Sequence, residues 1–290
     1  HPSDDLPDLS GRPKPTAGQV SVQGDEGWTF PEGTVIIKNS GYRPDQRTED
    51  GAHRLTETRQ LIYGANGWTG HPYVWDAEQT DAVRKVSGAR VQLELIDTGG
   101  QIVRQQYIVP NTNQCRDSHE VDDETRLLGI VTRQLGTMVH RNGQMVSQLG
   151  RLDTPGLFSG PPPNALKDGL VDPFGNASRE RQARSDLDVH CGQCDRAGGN
   201  GGRSGLVLLS AETDPRYYGV CNGPIAAGAR SGGRHHDIVP GEPERNILVY
   251  RMESTDPEIK LSELPNRLPD AVGIERVSSW IRSMTGPPCQ

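Results

Sequence analysis

Aromatic side chains are scarce in this sequence, which has only four Trp, seven Tyr and three Phe among 290 residues. Because all apolar residues together reach 32%, we expect a core that is thinner than that of an ordinary globular domain. Positive charge is also in short supply, since 31 Lys and Arg face 38 Asp and Glu for a formal net charge of −7. This balance argues against a general electrostatic affinity for nucleic acids or anionic membranes. No stretch approaches the roughly 20 consecutive apolar residues of a membrane-spanning helix.

Common catalytic motifs are missing as well. The sequence contains no G-x-x-x-x-G-K-[ST], no H-E-x-x-H, no G-x-S-x-G and no G-x-G-x-x-G after a strand. We find no pair of nucleophile and base to name, so we expect no enzymatic activity. The chain starts at His1 without an initiator Met or a signal peptide, as is typical of a processed product.

Glycine and proline, by contrast, are abundant. The 35 Gly and 22 Pro interrupt helices and strands along the whole chain. They are concentrated in residues 196–245, which we predict to be irregular and to need something to pack upon. We therefore expect protein partners or self-assembly.

The pattern of apolar residues predicts an arm and a β-rich domain in the N-terminal part. Residues 1–27 are rich in Pro and Asp without periodicity and predict an extended arm. Residues 28–110 predict the β-rich domain, because apolar residues alternate along segments such as 91–95. The turn at 97–100 before a second such segment predicts a hairpin.

Helical spacing replaces this alternation in the C-terminal part. Residues 111–178 are predicted to contain a helix, since apolar residues recur at helical spacing from Leu127 to Val139 and again up to Leu152, and to end in a linker. Residues 179–290 are predicted to form one domain with a helix over 179–194 and another over 270–284, where Asp270 is a suitable N-cap.

Two segments contain parts of the c-type haem-attachment motif C-x-x-C-H. In that motif two thiols bind the porphyrin and the His is an axial ligand of the iron. The segment HCGQCD (190–195) has both thiols, Cys191 and Cys194, but carries Asp195 in place of the His. The segment CRDSH (115–119) has Cys115 and His119, but a serine replaces its second thiol.

Longer patterned stretches surround these two segments. They are WTFPEGTVIIK (28–38), RLTETR (54–59), GWTGHPYVWD (67–76), YIVPNTNQC (107–115), LDVHC (187–191), GVC (219–221), DIVPG (237–241) and LVYRMESTDP (248–257). Together they resemble a largely uncharacterised family of exported bacterial proteins that carry two c-type haem motifs. The resemblance covers roughly residues 28–284. It implies a β-rich part followed by cytochrome-c-like helical segments, export from the cytoplasm and electron transfer.

The chain departs from that family at three positions where haem would bind. Ser118 and Asp195 break the two attachment motifs. Lys260 begins the stretch KLSE, where family members tend to show MMPE as a source of the second axial ligand. Both haem motifs are therefore degenerate, and we expect covalent haem to have been lost.

The remaining cysteines leave several interpretations open. One haem could still be held by Cys115 and His119 through a single thioether bond and an axial imidazole. A disulfide of an oxidising compartment could join Cys191 to Cys194 or to Cys221. With five cysteines in the chain, at least one has no partner within it.

A metal site is a further interpretation of the segment 190–195. His190, Cys191, Cys194 and Asp195 offer the imidazole, thiolate and carboxylate groups that Zn²⁺ accepts as ligands.

We therefore expect a loop-rich α+β protein in which the β-rich domain precedes one or more cytochrome-c-like helical domains. The expected function is that of a non-enzymatic structural or interaction subunit, exported to the periplasm or beyond the cell, without a cofactor. The alternatives are an electron-transfer protein with one haem at Cys115 and His119 and a metal-binding protein that uses Cys191 and Cys194.

Overall fold

The computed structural model describes most of the chain. The described residues are 18–25, 27–48, 51–121, 124–125, 127–141, 144–152, 156–164, 169–225, 228–256, 258–261 and 268–289. His1 and most of the predicted arm lie outside the described residues.

An antiparallel sheet of four strands forms the centre of the N-terminal half. Its strands follow the chain in order: β3 (Val35–Tyr42), β4 (Arg54–Gly64), β5 (Gly67–Trp75) and β6 (Ala82–Arg84). A short hairpin precedes it, made of β1 (Ser21–Gln23) and β2 (Gly27–Thr29). The strands β3 and β6 are the outer strands of the sheet.

The predicted hairpin around residues 97–100 is confirmed. Strand β7 (Ala89–Ile96) pairs along its length with β8 (Ile102–Val109). Gly100 has a φ of +83° in the turn, a conformation that glycine adopts without strain. The inward faces of the two strands bury Leu93, Tyr107 and Val109 against residues of β3 and β5. The alternation of apolar residues thus correctly indicated the strands.

The predicted helix between residues 127 and 152 is wrong. After helix α1 (Thr112–His119) and the short pair β9 (Glu120–Val121) and β10 (Glu124–Thr125), this region forms four separate elements. They are α2 (Thr132–Leu135), β11 (Met138–Arg141), β12 (Gln144–Ser147) and α3 (Gln148–Leu152). Between β11 and β12 the sequence reads Asn-Gly, the pair most favoured in two-residue hairpin loops, and this local signal outweighs the helical spacing.

The described residues of the C-terminal half include the α-helices α4 (Arg179–His190), α5 (Ile247–Glu253) and α6 (Ala271–Ser283). The predicted positions of α4 and α6 are confirmed, although α4 ends at His190 rather than at residue 194. Asp270 is the N-cap of α6, since its carboxylate accepts a hydrogen bond from the backbone N–H of Val272 at 3.1 Å.

The expectation of cytochrome-c-like helical domains is wrong. The described chain is β-rich, and its α-helices are short, the longest having 13 residues. In the C-terminal half, Leu206, Leu208 and Ile238 come from irregular segments and pack into one buried cluster with residues of α4, α5 and α6. Residues of the segment 196–245 thus pack directly against the helices.

The two halves are joined by a buried ion pair. The Nε of Arg133 in α2 lies 3.0 Å from the Oδ1 of Asp188 in α4, and both side chains are almost completely buried. Asp188 also accepts a hydrogen bond at 2.8 Å from the backbone N–H of Ser210, and Arg133 makes a second ion pair with Asp25 beside the β1–β2 hairpin. Breaking such a pair leaves a buried charge uncompensated, so the network fixes α4 relative to the N-terminal half.

Candidate functional site

Cys115 and His119 lie on one face of α1, which packs on β5. The thiol of Cys115 is only 4% exposed and His119 is 9% exposed. A methyl group placed on Gly70 of β5 would lie 3.5 Å from the Cβ of Cys115 and 3.7 Å from its Sγ. Both predicted ligands are therefore buried, and the side chain of Cys115 lies in the interface between α1 and β5.

Haem does not fit this arrangement. A thioether bond requires the Sγ of Cys115 to reach the edge of a porphyrin, but that side chain is buried beside Gly70 of β5. Burial raises the pKa of the Cys115 thiol, which keeps it protonated and unreactive.

The segment 190–195 is not assembled into a metal site. His190 is exposed on α4, where its Nδ1 lies 3.2 Å from the Oδ1 of Asp186, and this contact raises the pKa of His190. Cys191, which follows it, turns the other way and is buried in the apolar cluster of the C-terminal half. Within the described parts of the chain, no group of three or more His, Cys, Asp and Glu residues is placed to hold a metal ion.

The cysteines form a disulfide that differs from both predicted pairings. Cys221 is bonded to Cys289, whereas Cys191 and Cys194 are not part of a disulfide. Cys191 is instead buried in the apolar cluster at the end of α4, where burial strongly raises the pKa of its thiol. A disulfide is typical of proteins from oxidising compartments such as the periplasm.

A cleft of about 470 Å³ lies next to this disulfide. Its walls come from the first turn of α4, the loop 214–221, Pro240, the end of α6 and the tail that follows. The lining residues are Glu180, Asp214, Pro215, Arg216, Tyr218, Val220, Cys221, Pro240, Trp280, Met284, Thr285, Gly286 and Pro287. The disulfide joins the loop wall to the tail wall, so it fixes the width of the cleft.

Aromatic rings line the inner part of the cleft. The rings of Tyr218 and Trp280 have centroids 6.0 Å apart and are tilted by 45°. The guanidinium of Arg184 stacks 4.0 Å above the Tyr218 ring and donates hydrogen bonds to the carbonyls of Leu209 and Glu212. The loop that carries Tyr218 is thereby tied to α4, and the aromatic surface is preformed.

The rim of the cleft at Tyr218 carries charges of both signs. Glu180 and Asp214 are both exposed there, and Arg216 is the one cation among the lining residues. Burial raises the pKa of the Tyr218 hydroxyl; the charge of Arg184 opposes this shift, and the charges of Glu180 and Asp214 add to it. The two carboxylates and the two guanidinium groups of Arg184 and Arg216 therefore balance in charge around Tyr218.

A buried carboxylic acid lies elsewhere in the same half. Asp237 is 4% exposed, and its Oδ2 has no hydrogen-bond partner among the residues that the structure describes. Burial raises the pKa of Asp237 to about 7; the nearby charge of Arg251 opposes this shift and that of Asp195 adds to it. This group therefore titrates near neutral pH inside the protein.

The sequence did not point to the cleft or to Asp237. The lining residues of the cleft are scattered between positions 180 and 287, so no local motif brings them together. Asp237 begins the stretch DIVPG (237–241), and nothing in the neighbouring sequence indicates that its side chain is buried.

Comparisons with known proteins found no match to this chain. No protein-family model matches the chain, and no significant match was found among curated proteins or solved structures. No helix within the described segments is both long and apolar enough to cross a membrane.

Proposed function

We propose that this protein is an exported structural subunit that associates with copies of itself and works without covalent haem. The observation that carries the proposal is the burial of the thiols that would attach haem. Cys115 is enclosed between α1 and β5, and Cys191 belongs to the apolar core of the other half. Both thiols have raised pKa values because of burial, so neither is a reactive group.

Exposed apolar side chains support the role in assembly. Val35 and Ile37 are 50% and 44% exposed on β3, an outer strand of the central sheet. Outer strands with exposed β-branched residues and few charges are surfaces on which other chains pair. The disulfide Cys221–Cys289 supports the exported location.

The haem part of the proposal is tested by expressing the chain in a host that has haem-attachment machinery. We expect an intact mass of 31.6 kDa without added porphyrin, and no Soret band after denaturation. The matched control is Ser118→Cys, which restores a complete C-x-x-C-H motif and reports whether the machinery can act on this chain. Porphyrin attached to the wild-type protein would overturn the proposal in favour of electron transfer.

The assembly part is tested by light scattering on the same material over a range of concentrations. We expect the average mass to rise with concentration above that of one chain. A protein that stays monomeric at all concentrations contradicts a role as a self-associating subunit. Elemental analysis of the untagged protein tests the remaining alternative, because stoichiometric zinc that is lost in Cys191→Ser and Cys194→Ser would establish a metal-binding protein.

A further inference from the structure

We propose that Cys191 and Cys194 form a dithiol that exchanges electrons with disulfides of other molecules, with Cys194 as the attacking and Cys191 as the resolving thiol. Neither residue is part of a disulfide in the structure, so the described state of the pair is the reduced one. The inference goes beyond the structural role proposed above and does not depend on it, because the exchange requires neither self-association nor the loss of haem.

The backbone places the two cysteines within bonding range of each other. The backbone N–H of Cys194 donates a hydrogen bond to the carbonyl of Cys191 at 2.9 Å. Such a bond between residues i and i+3 closes a turn whose end Cα atoms lie within about 7 Å. Disulfides join residues whose Cα atoms are roughly 4.4–6.8 Å apart. A disulfide between the two residues therefore requires no change in the tertiary fold.

Contacts with the rest of the C-terminal half hold this turn in place. A Cβ atom at Gly192 would lie 2.9 Å from the carbonyl oxygen of Asp188, so only a glycine lets the turn pack this closely on α4. On the other side, the carbonyl of Asp195 accepts a hydrogen bond at 2.8 Å from the backbone N–H of Leu208. The two thiols are thus held near each other before any reaction, which raises the rate of a step between them.

The two thiols differ in their access to solvent. Cys191 is 8% exposed and belongs to the apolar cluster of the C-terminal half, whereas Cys194 is partly exposed. A reagent in solution therefore reaches Cys194 first. Cys191 has to reach only the sulfur of its neighbour, so its burial does not prevent it from completing the exchange. An accessible thiol beside a resolving thiol is the arrangement found in redox-sensitive cysteine pairs.

The electrostatic surroundings favour the oxidised form of the pair. The turn follows the C-terminal end of α4, where the helix dipole disfavours an anion. Besides burial, the negative charges of Asp195 and Asp186 raise the pKa of the Cys191 thiol. Because a dithiol whose thiolate is stabilised makes its disulfide a strong oxidant, a destabilised thiolate has the opposite effect. We therefore expect the pair to give electrons to other disulfides rather than to take them.

The reaction is a thiol–disulfide exchange with a disulfide RSSR, either a small molecule or an exposed disulfide of a protein. The thiolate of Cys194 attacks one sulfur of RSSR, forms a mixed disulfide and releases the first RS⁻. The Sγ of Cys191 then attacks the Sγ of Cys194, which forms the Cys191–Cys194 bond and releases the second RS⁻. The protons of the two cysteine thiols end on the two released groups. The protein loses two electrons and two protons, and RSSR becomes two RSH.

The experiment treats the full-length protein, with Cys221–Cys289 intact, with oxidised glutathione and maps the products by mass spectrometry after an acid quench. In the wild type we expect two thiols to be lost, a bond between Cys191 and Cys194, and no glutathione left on the protein. Cys191→Ser should stop with one glutathione on Cys194. Cys194→Ser should react more slowly than Cys191→Ser by at least on the order of tenfold, because its remaining thiol is buried.

A matched control and an equilibrium measurement complete the test. Cys115→Ser removes the other thiol of the chain that is not in a disulfide and should react like the wild type. Circular dichroism of all variants checks that they are folded, and the product of the wild type decides the question without them. In a mixture of equal concentrations of reduced and oxidised glutathione, we expect the disulfide form of the pair to predominate.

Four results would overturn the inference. The wild type could retain both thiols, or accumulate the mixed disulfide, which would show that Cys191 does not resolve it. A faster reaction of Cys194→Ser than of Cys191→Ser would contradict the assigned roles. A predominant dithiol in the equal mixture would contradict the direction of electron transfer. Each of these outcomes is distinguishable from failure of the proposed function, which is measured by porphyrin content and by light scattering.

Discussion

The buried carboxyl group of Asp237 predicts a pH dependence of stability that one substitution should remove. Its pKa is raised from 3.8 to about 7 in the folded protein, mainly by burial. Between about pH 4 and pH 7 the folded state therefore holds a proton that the unfolded state has released. Folding is stabilised by this proton at low pH, and the stabilisation is lost as the pH rises through the folded-state pKa.

The expected magnitude follows from the size of the shift. One pKa unit corresponds to 1.36 kcal/mol, so a rise from 3.8 to about 7 is equivalent to roughly 4 kcal/mol. Asp237→Asn removes the ionisation. Burying the asparagine amide changes the free energy of unfolding by the same amount at every pH, because the amide does not titrate. This contribution therefore cancels when the free energies at two pH values are compared. We expect the variant to gain roughly 4 kcal/mol relative to wild type between pH 4 and pH 8.

The assay is urea unfolding of both proteins, followed by circular dichroism at pH values from 4 to 8. The exposed substitution Asp172→Asn removes one carboxylate without burial and serves as the control for net charge. A difference in unfolding free energy between wild type and Asp237→Asn that stays constant over this pH range would refute the reasoning.

Three further predictions concern the stability of the fold. Asp188→Ala removes a carboxylate that pairs with the guanidinium of the buried Arg133, and it should lower the unfolding free energy by about 3–5 kcal/mol in urea. A loss below 1 kcal/mol would show that the pair is not buried in solution. Asp270→Ala removes the N-cap of α6 and should lower it by about 1 kcal/mol, whereas Asp270→Asn should retain most of the stability. Cys221→Ser opens a disulfide with a sequence separation of 68 residues and should lower it by about 4 kcal/mol under non-reducing conditions; an unchanged unfolding midpoint would contradict this pairing with Cys289.

The elements that the sequence predicted well are those with a strong local pattern. The alternation in 91–95 and 101–109 sufficed for β7 and β8, because one face of the hairpin is buried and the other is not. Helix α6 was predicted with its N-cap, since apolar residues at helical spacing followed directly on Asp270. In the region 127–152 the same reasoning failed, because the spacing of the apolar residues fits a helix as well as short strands and turns.

The candidate site depends on contacts that no local pattern contains. Cys191 and Cys194 are close in sequence, which suggested a disulfide, but the one that forms joins Cys221 to Cys289 across the C-terminal half. The aromatic lining likewise depends on Arg184, whose contacts with Tyr218 and the carbonyls of 209–212 bring a loop onto α4. Such pairings are set by tertiary packing, which the order of residues does not reveal without a related structure.

The ion pair between Arg133 and Asp188 has a consequence for the order in which the chain folds. The two residues are 55 positions apart, so during synthesis Arg133 emerges well before its partner. At 5–20 residues per second the delay is roughly 3–11 s. During that interval the guanidinium of Arg133, which is buried in the folded protein, can pair with Asp25 but not with Asp188, because Asp188 has not yet been synthesised. The buried ion pair of Arg133 therefore forms only after α4 has been synthesised. A chain that ends before residue 188 cannot form it.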